Sequence, residues 1–445
     1  MKKPSKYYIL NLGCPKNEVD GQSLEYYLVK HGLTSAEPDN ADILIINTCG
    51  FIEAAKRESI DEIFRLASLK GDDKILAVTG CLSQRYRDEL TKDIPEIDYI
   101  FGIYAPEKTA MALVTGDNKK ADYSFKYENY YEPLEGRILS PGSHYAYLKI
   151  SDGCENHCSY CAIPQIRGNY RSRPMAEILK EADYLLSNDV KEVILVAQDT
   201  TQYGTGSQDE AKLKDLLNEL SVDSRLKWLR LLYAHPARVS KPLLDTISKK
   251  DNICSYLDIP LQHVTDNMLK RMNRKVTSRH IKSLLNFIRQ DYPEIALRTT
   301  FLLGHPGETE SDFEELVQFI EEYRFEHIGC FTYSEEEDTV SAKMNNKVDD
   351  ETANKRYDIL MSTQSTIVEE RNNELVGKRF EAIVDEYDET DDIYYCRLEN
   401  QSPEIDSSVL LKSAGKKLNS GEFISIKIRD YNIFDLEGIL SDNSV

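Results

Sequence analysis

Three cysteines lie within eight residues of one another in the stretch SDGCENHCSYCAIP, residues 151–164. They are Cys154, Cys158 and Cys161, spaced C-x-x-x-C-x-x-C. Clustered thiolates favour metal or redox chemistry over a disulfide framework, because the chain has only nine cysteines in 445 residues. A structural zinc site needs a fourth ligand, and His157 inside the loop could supply it only with strained geometry. An iron–sulfur cluster held by three cysteines leaves one iron open to a substrate or cofactor.

A second set of three cysteines is spread over the first 81 residues. Cys14, Cys49 and Cys81 are 35 and 32 residues apart, and each ends a predicted buried strand. The carboxyl ends of parallel strands meet at one edge of a sheet, where ligands bind. A single buried cysteine is usually a small apolar residue, but three at matched strand ends predict a second cluster site. The remaining cysteines have no such partners and are predicted to be packing residues: Cys254, Cys330 and Cys396.

An alternation of strand and helix patterns must position these cysteines. In the first 135 residues, four apolar runs separated by amphipathic helical patterns predict a doubly wound parallel sheet. These runs are 7–13, 41–49, 74–81 and 97–102. Six further strand–helix units follow, fewer than the eight of a complete barrel, so an open, partial (β/α)6 barrel is predicted. Its strands are 146–151, 192–198, 228–234, 256–262, 297–304 and 327–334.

A long charged helix, predicted over 349–376, separates this barrel from a C-terminal segment with a different sequence pattern. In that segment apolar residues alternate at period two between short turns, which predicts a small antiparallel β-domain. The fold class is therefore α/β, with predicted domains at 1–135, 140–375 and 376–445. A tyrosine-rich linker is expected over 121–144.

The composition is that of a globular protein with an acidic surface. Hydrophobic residues make up 41% of the chain, charged residues 29%, and the formal net charge is −21. No apolar run approaches the length of a membrane span, and the N-terminus lacks the apolar core of a signal peptide, so a cytoplasmic protein is expected. The last domain holds 8 Lys or Arg and 15 Asp or Glu, hence a net charge of −7. That sign favours a basic protein partner over a nucleic acid.

The cysteine spacing, placed directly after the strand that opens a partial α/β barrel, resembles that of the radical S-adenosylmethionine superfamily. The resemblance implies that Cys154, Cys158 and Cys161 hold a 4Fe–4S cluster and that S-adenosylmethionine binds its open iron. It also implies that Tyr160 lies near the adenine of that cofactor, and that no catalytic side chain is needed beyond the clusters. Further cofactor contacts are implied on the barrel strands, although ordinary polar packing accounts equally well for each of them: Gln198, Asp199, Gln262, His263 and Arg298.

Over nearly its whole length the chain resembles the methylthiotransferase family, whose members insert sulfur into a C–H bond and methylate it. This resemblance implies a second 4Fe–4S cluster on Cys14, Cys49 and Cys81, a C-terminal TRAM domain and an external electron donor. Four stretches are similar to the RimO group: LGCPKN (12–17), IPLQH (259–263), LRTTFLLGHPGETESDF (297–313) and FTYSEEEDT (331–339). That group modifies the β-carbon of an aspartate in protein twelve of the small ribosomal subunit.

Two departures from the family pattern, His305 for the usual Phe and Asp338 for the usual Gly, fall at positions without a chemical role in this interpretation. Two alternatives stay open. The first is a transfer-RNA methylthiotransferase that acts on the adenosine beside the anticodon. Such enzymes typically have glutamine and methionine where this chain has Pro15 and Lys16, and they tend to carry a basic final domain. A non-catalytic iron–sulfur protein would need neither open coordination sites nor a six-stranded barrel.

Overall fold

The structure, a computed structural model, describes residues 4–71, 73–116, 136–205, 212–413 and 415–441. Its strands, in chain order, are β1 (Lys6–Asn11), β2 (Thr34–Ser35), β3 (Ile43–Thr48), β4 (Ile75–Gly80), β5 (Tyr99–Ile100), β6 (Tyr145–Lys149), β7 (Ser151–Asp152), β8 (Arg171–Ser172), β9 (Glu192–Val196), β10 (Trp228–Leu231), β11 (Tyr256–Asp258), β12 (Ala296–Leu303), β13 (His327–Thr332), β14 (Arg379–Asp388), β15 (Ile393–Leu398), β16 (Val409–Lys412), β17 (Phe423–Asn432) and β18 (Asp435–Leu440). Its α-helices are α1 (Pro15–Lys30), α2 (Glu53–Ser68), α3 (Cys81–Arg85), α4 (Arg87–Asp93), α5 (Pro106–Thr115), α6 (Ile163–Arg167), α7 (Met175–Ser187), α8 (Leu213–Leu220), α9 (Lys241–Lys249), α10 (Asp266–Arg271), α11 (Ser278–Asp291), α12 (Glu310–Tyr323) and α13 (Asp350–Leu375). None of the described helices is both long and apolar enough to cross a bilayer.

Two compact units make up the chain. The first comprises Met1–Ser140, Ser151–Arg173 and Ser334–Ala342, and the second comprises Pro141–Ile150, Pro174–Tyr333 and Lys343–Val445. The three predicted domains divide the chain differently, and their boundaries stay predictions. Most of the predicted linker, from 121 to 135, lies outside the described residues.

Five parallel strands form the sheet of the first unit, in the order β2–β1–β3–β4–β5. β3 and β4 are fully buried along their length, as central strands between two helix layers must be. Ile43 and Ile45 pack with α1 and α5, whereas Leu44 and Ile46 pack with α2 and α4 on the opposite face. Helices therefore cover both faces, and the predicted doubly wound sheet is confirmed.

Six parallel strands form the core of the second unit, as two groups of three in the orders β6–β9–β10 and β11–β12–β13. Backbone hydrogen bonds join the groups. The amide of Ala234 donates to the carbonyl of Asp258 at 2.8 Å, and that of Cys254 donates to the carbonyl of Leu229 at 2.9 Å. Between the strands, α7, α8, α9, α11 and α12 each bury an apolar face. The predicted core of six strand–helix units is confirmed.

The last strands form a closed five-stranded barrel, in the order β14–β15–β16–β18–β17, called here the C-terminal barrel. Its neighbouring strands are antiparallel except β16 and β18, which run parallel. The predicted antiparallel arrangement is therefore corrected at this pair. A ring with an odd number of strands cannot alternate direction at every junction, so closure without edges requires one parallel pair. The cysteines predicted to be packing residues are all buried: Cys254, Cys330 and Cys396.

Buried ion pairs join the C-terminal barrel to the six-stranded core. Glu192 of β9 accepts from Arg230 of β10 at 2.6 Å and from Arg397 of β15 at 2.8 Å, and all three side chains are at most 2% exposed. Arg397 also binds both carboxylate oxygens of Asp385, at 2.7 and 2.9 Å. Burial by itself raises the pKa of Glu192, but the two arginine charges outweigh it and hold that pKa below its ordinary value. These residues are called the basal ion network.

A second set of buried, ion-paired side chains lies on β11 and β12. Asp406, from the loop before β16, accepts from the Tyr256 hydroxyl at 2.7 Å and from Nε of Arg298 at 3.2 Å. Arg298 pairs in turn with Asp258 at 3.2 Å. Because a lone buried charge costs several kcal/mol, Asp406 of the C-terminal segment depends on the core residue Arg298 for its compensation.

Candidate functional site

The first triad of cysteines lies along one edge of the N-terminal sheet and consists of Cys14, Cys49 and Cys81. Cys14 is the N-cap of α1, Cys49 directly follows β3, and Cys81 directly follows β4 and begins α3. Because β1, β3 and β4 are adjacent and parallel, their carboxyl ends bring the three residues to the same edge. The charges of Cys14 and Cys49 both act on the Cys81 thiol, so the thiols lie within electrostatic reach of one another.

Asn17, in the first turn of α1, ties the loops of the first triad together. Its Nδ2 donates to the carbonyls of Leu12, Asn47 and Thr48, at 2.7, 3.3 and 3.2 Å. The side chain of Asn47 donates in return to the carbonyl of Asn17 at 2.7 Å. Asn17 Oδ1 also lies 3.9 Å from Sγ of Cys81. One buried amide therefore fixes the chain segments after β1 and β3 to each other.

Two glycines allow these loops to approach closely. Gly80, just before Cys81, has a φ of +98°, and a Cβ there would lie 2.4 Å from the carbonyl oxygen of Thr48. Gly13 has a φ of +92°, and a Cβ there would lie 2.7 Å from Cβ of Cys49. Any other residue would be strained and would push the loops apart. The first triad thus depends on both glycines.

The thiols of the first triad differ in their electrostatic surroundings. Burial raises the pKa of Cys81 to about 12 and also raises the pKa of Cys49. Burial acts on Cys14 in the same direction, but Lys16, Arg167 and the backbone N–H groups of α1 outweigh it and hold its pKa below the ordinary value. Cys14 is therefore the member of the triad that most readily becomes a thiolate, the form that binds metal.

The second triad lies on the loop between β7 and α6 and consists of Cys154, Cys158 and Cys161. The loop closes through its own backbone, because the amide of Cys154 donates to the carbonyl of Gly168 at 3.2 Å. Gly153 has a φ of +73°, and a Cβ there would lie 2.0 Å from the carbonyl oxygen of Asn169. His157, the alternative zinc ligand, is exposed in a left-handed turn with a φ of +50°.

Both triads belong to the first unit. Cys81 of the first triad packs in one apolar cluster with Ala162 and Ile166, which follow Cys161 on the second-triad segment. The sequence had placed the two triads in separate domains and gave no sign of this contact. A compact unit that carries both triads is the main finding at this site.

The ligand chemistry fits iron–sulfur clusters better than single ions. Among the described residues, no three Cys, His, Asp or Glu side chains are grouped closely enough to hold one metal ion. A zinc ion needs all of its ligands within about 2.0–2.3 Å of itself, whereas a four-iron cluster takes its thiolates at separate iron corners. Three thiolates at each of two positions are ligands of the type that four-iron clusters take, and the count of two clusters stays a prediction.

The implied S-adenosylmethionine contacts fall in both units. One of them, Tyr160, lies on the second-triad loop, and the others lie in the second unit: Gln198, Asp199, Gln262, His263 and Arg298. Asp199 follows β9, is 2% exposed, accepts from the Thr201 hydroxyl at 2.6 Å and forms an ion pair with Arg238. Gln198, beside it, is half-buried. The roles of these six residues as cofactor contacts stay predictions.

Arg298 lies nearer the amino-terminal end of the core strands than the other predicted contacts. It is the third residue of β12 and is engaged by Asp258 and Asp406. Gln262 lies beyond the end of β11, with a φ of +70°, and its amide donates to the carbonyl of Thr300 at 2.7 Å. These ion pairs are polar packing of the kind that the sequence left open, and the role of Arg298 as a cofactor contact stays a prediction.

His263 is fully buried and is held as a neutral N–H donor. Its Nδ1 accepts from the backbone amides of Val264 and Thr265, at 2.9 and 3.3 Å, so Nε2 carries the proton. Burial lowers its pKa to about 3. In the described part of the chain Nε2 has no hydrogen-bond partner.

Three family models match consecutive parts of the chain. The uncharacterized protein family UPF0004 matches residues 6–102, the radical SAM superfamily matches 148–320, and the TRAM domain matches 376–440. A Clostridium tetani protein named ribosomal protein uS12 methylthiotransferase RimO is 41% identical over 99% of each chain. Proteins of the same name from Clostridioides difficile and Thermoanaerobacter sp. are 43% and 44% identical, over 97% of this chain and 98% of theirs. The chain belongs to the RimO family.

Solved structures share the fold of this RimO family member at low sequence identity. The radical S-adenosylmethionine methyltransferase TsrM from Kitasatospora setae matches with a TM-score of 0.55 and 14% identity, over 73% of this chain and 72% of that one. The cobalamin-dependent S-adenosylmethionine radical enzyme OxsB matches with a TM-score of 0.51 and 15% identity, over 82% of this chain and 56% of that one. These likenesses confirm the α/β fold.

Sequence reasoning missed Asn17 at the first triad and a buried histidine, His235, in the second unit of this RimO family member. Asn17 lies within LGCPKN, but its bonds to the ends of later strands are visible only in the structure. His235 follows β10, and its Nδ1 accepts from the amide of Ala237 at 3.2 Å. Burial lowers its pKa to about 3, and among the described residues its Nε2 has no partner. The available signal was a His–Pro pair directly after a core strand.

Proposed function

We propose that the chain is a radical S-adenosylmethionine methylthiotransferase that modifies the β-carbon of an aspartate in ribosomal protein uS12 and works in the cytoplasm. The observation that carries the proposal is the presence of two cysteine triads in one compact unit, since sulfur insertion needs both a radical source and a sulfur source. Full-length relatives that are 41–44% identical and bear this name support it.

Each triad has its own task in this proposal. Cys154, Cys158 and Cys161 would hold a 4Fe–4S cluster that supplies one electron to split S-adenosylmethionine into methionine and a deoxyadenosyl radical, which becomes deoxyadenosine when it takes hydrogen from the aspartate. The cluster of the first triad would present sulfur, and a second S-adenosylmethionine would supply the methyl group. The residues around the first triad serve to assemble it. Gly13 and Gly80 let the strand ends meet, Asn17 locks them, and Cys14 is held as the most acidic thiol.

His235 and His263, both in the second unit, would serve as hydrogen-bond donors to a ligand at the ends of the core strands. Each imidazole has Nδ1 occupied by a backbone amide, and each has a pKa near 3 because it is buried. Both therefore stay neutral at physiological pH and keep Nε2 as a donor. A neutral donor can hold the oxygen atoms of a ligand without adding a positive charge.

An acidic hairpin on the C-terminal barrel suits a basic ribosomal protein. Residues 385–395, DEYDETDDIYY, contain six carboxylates and no cation. Glu386, Glu389 and Asp391 are exposed, and so is Tyr387. Carboxylates beside an aromatic face match the guanidinium groups of an arginine-rich surface. This segment, called the acidic hairpin, is the proposed docking element for uS12.

Reversing charge on the acidic hairpin is expected to weaken substrate recognition. In the variant Glu386→Lys, Glu389→Lys, Asp391→Lys, we expect KM for uS12 to rise roughly tenfold, which corresponds to about 1.4 kcal/mol. Cleavage of S-adenosylmethionine without uS12 should be unchanged, because the second triad lies in the first unit. Methylthiolation rates against uS12 concentration, with deoxyadenosine measured in parallel, give both results.

The matched control places the same charge change on α12, where Glu314, Glu321 and Glu322 are exposed. Their replacement by lysine should leave KM near the wild-type value. An equal rise of KM in both variants would show that only the net charge of the protein matters, and the hairpin would no longer be the docking element. A normal KM in the hairpin variant would exclude it as well.

Mass spectrometry on a strain that lacks the gene tests the proposed function itself. We expect uS12 to carry an unmodified aspartate in this strain, transfer RNA to keep its methylthio-adenosine, and the intact gene to restore uS12 modification. Loss of methylthio-adenosine with normal uS12 would support the transfer-RNA enzyme instead. Normal modification of both would favour the non-catalytic iron–sulfur protein.

A further inference from the structure

Arg167 ends α6 and is among the largest fully buried side chains of the first unit. Its guanidinium forms ion pairs with Asp20 of α1 at 2.8 Å and with Asp152 of β7 at 3.2 Å. Its backbone is fixed as well, because the Tyr104 hydroxyl donates to its carbonyl at 2.9 Å. The side chain is therefore held in one orientation.

The same guanidinium reaches a cysteine of the first triad. Nη2, which donates to Asp20, also lies 3.6 Å from Sγ of Cys81, a distance suited to an N–H···S hydrogen bond. Arginine presents five N–H donors in a rigid fork, so two carboxylates leave a donor for the sulfur. Arg167 follows Cys161 by six residues. The segment that carries the second triad therefore supplies a donor to a ligand of the first.

We propose that Arg167 is a positioning residue of the first triad, which donates a hydrogen bond to the Cys81 sulfur and raises the reduction potential of the cluster bound there. This proposal rests on the cluster assignment made under the proposed function. Reduction adds negative charge to a cluster, and hydrogen bonds to its ligand sulfurs and a nearby cation stabilise that charge. Asp20 and Asp152 offset the cost of burying the guanidinium and set its direction.

An EPR-monitored redox titration of the anaerobically reconstituted full-length protein tests the proposal. S-Adenosylmethionine changes the signal of the cluster that it binds, so the signal that stays unchanged belongs to the first triad. In Arg167→Gln we expect wild-type iron content and a more negative midpoint potential for that signal. The control Arg65→Gln removes another arginine of the same unit, one in the last turn of α2 that pairs with Glu62, and should keep the wild-type potential. A wild-type potential in Arg167→Gln would overturn the proposal.

If Arg167→Gln loses iron, the variant Asp20→Asn tests the proposal instead. Nη2 of Arg167 is shared between Asp20 and Cys81, so removing the carboxylate charge should strengthen the bond to sulfur. We expect a midpoint potential more positive than that of the wild type, and a potential equal to or below it would refute the role of Arg167. If the wild-type protein shows no signal insensitive to S-adenosylmethionine, the first-triad cluster assignment fails, and this proposal fails with it.

Discussion

A variant with alanine at Cys14, Cys49 and Cys81 is expected to uncouple the two halves of the reaction. Deoxyadenosine should still form, because the second-triad loop closes through its own hydrogen bond from Cys154 to Gly168. Methylthio-aspartate should fall to background, since the first triad is the proposed sulfur-presenting site. The measurement is the amount of both products in the same reaction mixture, determined by mass spectrometry.

Iron content provides an independent check on this uncoupling. We expect about eight irons per wild-type chain and about four in a triple alanine variant of either triad. Only the second-triad variant should also lose deoxyadenosine. Alanine at the packing positions Cys254, Cys330 and Cys396 removes the same number of thiols and should leave the iron count unchanged. Normal methylthiolation by the first-triad variant would disprove the role of that site.

Arg397→Ala is expected to lower the free energy of unfolding of the second unit by about 3–5 kcal/mol, the usual cost of removing one partner from a buried ion pair. Glu192 is fully buried and would keep only Arg230, while Asp385 would lose a partner that binds both of its oxygens. The reduced stability should appear as an earlier unfolding transition in thermal or denaturant melts followed by circular dichroism.

Arg429→Ala is the matched control for this variant. Arg429 lies exposed on β17 of the same C-terminal barrel, so its loss should change stability by no more than about 0.5 kcal/mol. If the two alanine variants unfold at the same temperature or denaturant concentration, the basal ion network does not stabilise the contact between barrel and core.

Much of the fold could be predicted because central parallel strands are apolar on both faces. β3 and β4 are fully buried, and their ends therefore located Cys49 and Cys81. The prediction was less accurate where other chemistry intervened. A strand was predicted over 256–262, but β11 ends at Asp258, because Pro260 has no amide to donate to a neighbouring strand.

The remaining site residues could not be predicted because their roles depend on contacts between distant segments. Arg167 meets Asp20, which is 147 positions away, and no spacing rule connects them. The role of Asn17 could not be predicted for the same reason, since the Thr48 carbonyl that it binds lies 31 positions away. The ion pairs of Arg298 with Asp258 and Asp406, which lie 40 and 108 positions away, were equally hidden in the sequence.

The basal ion network bears on how enzymes of this architecture acquire new substrates during evolution. Glu192 and Arg230 belong to the core and Arg397 belongs to the C-terminal barrel, so the two parts share one set of charges. A barrel recombined from another gene would have to bring a cation to the same place, or Glu192 would lose half of its compensation. Shuffling of whole domains is thereby disfavoured. The exposed carboxylates of the acidic hairpin have no such constraint. We therefore expect substrate range to change through point substitutions at that hairpin, while the ion pairs between barrel and core are conserved.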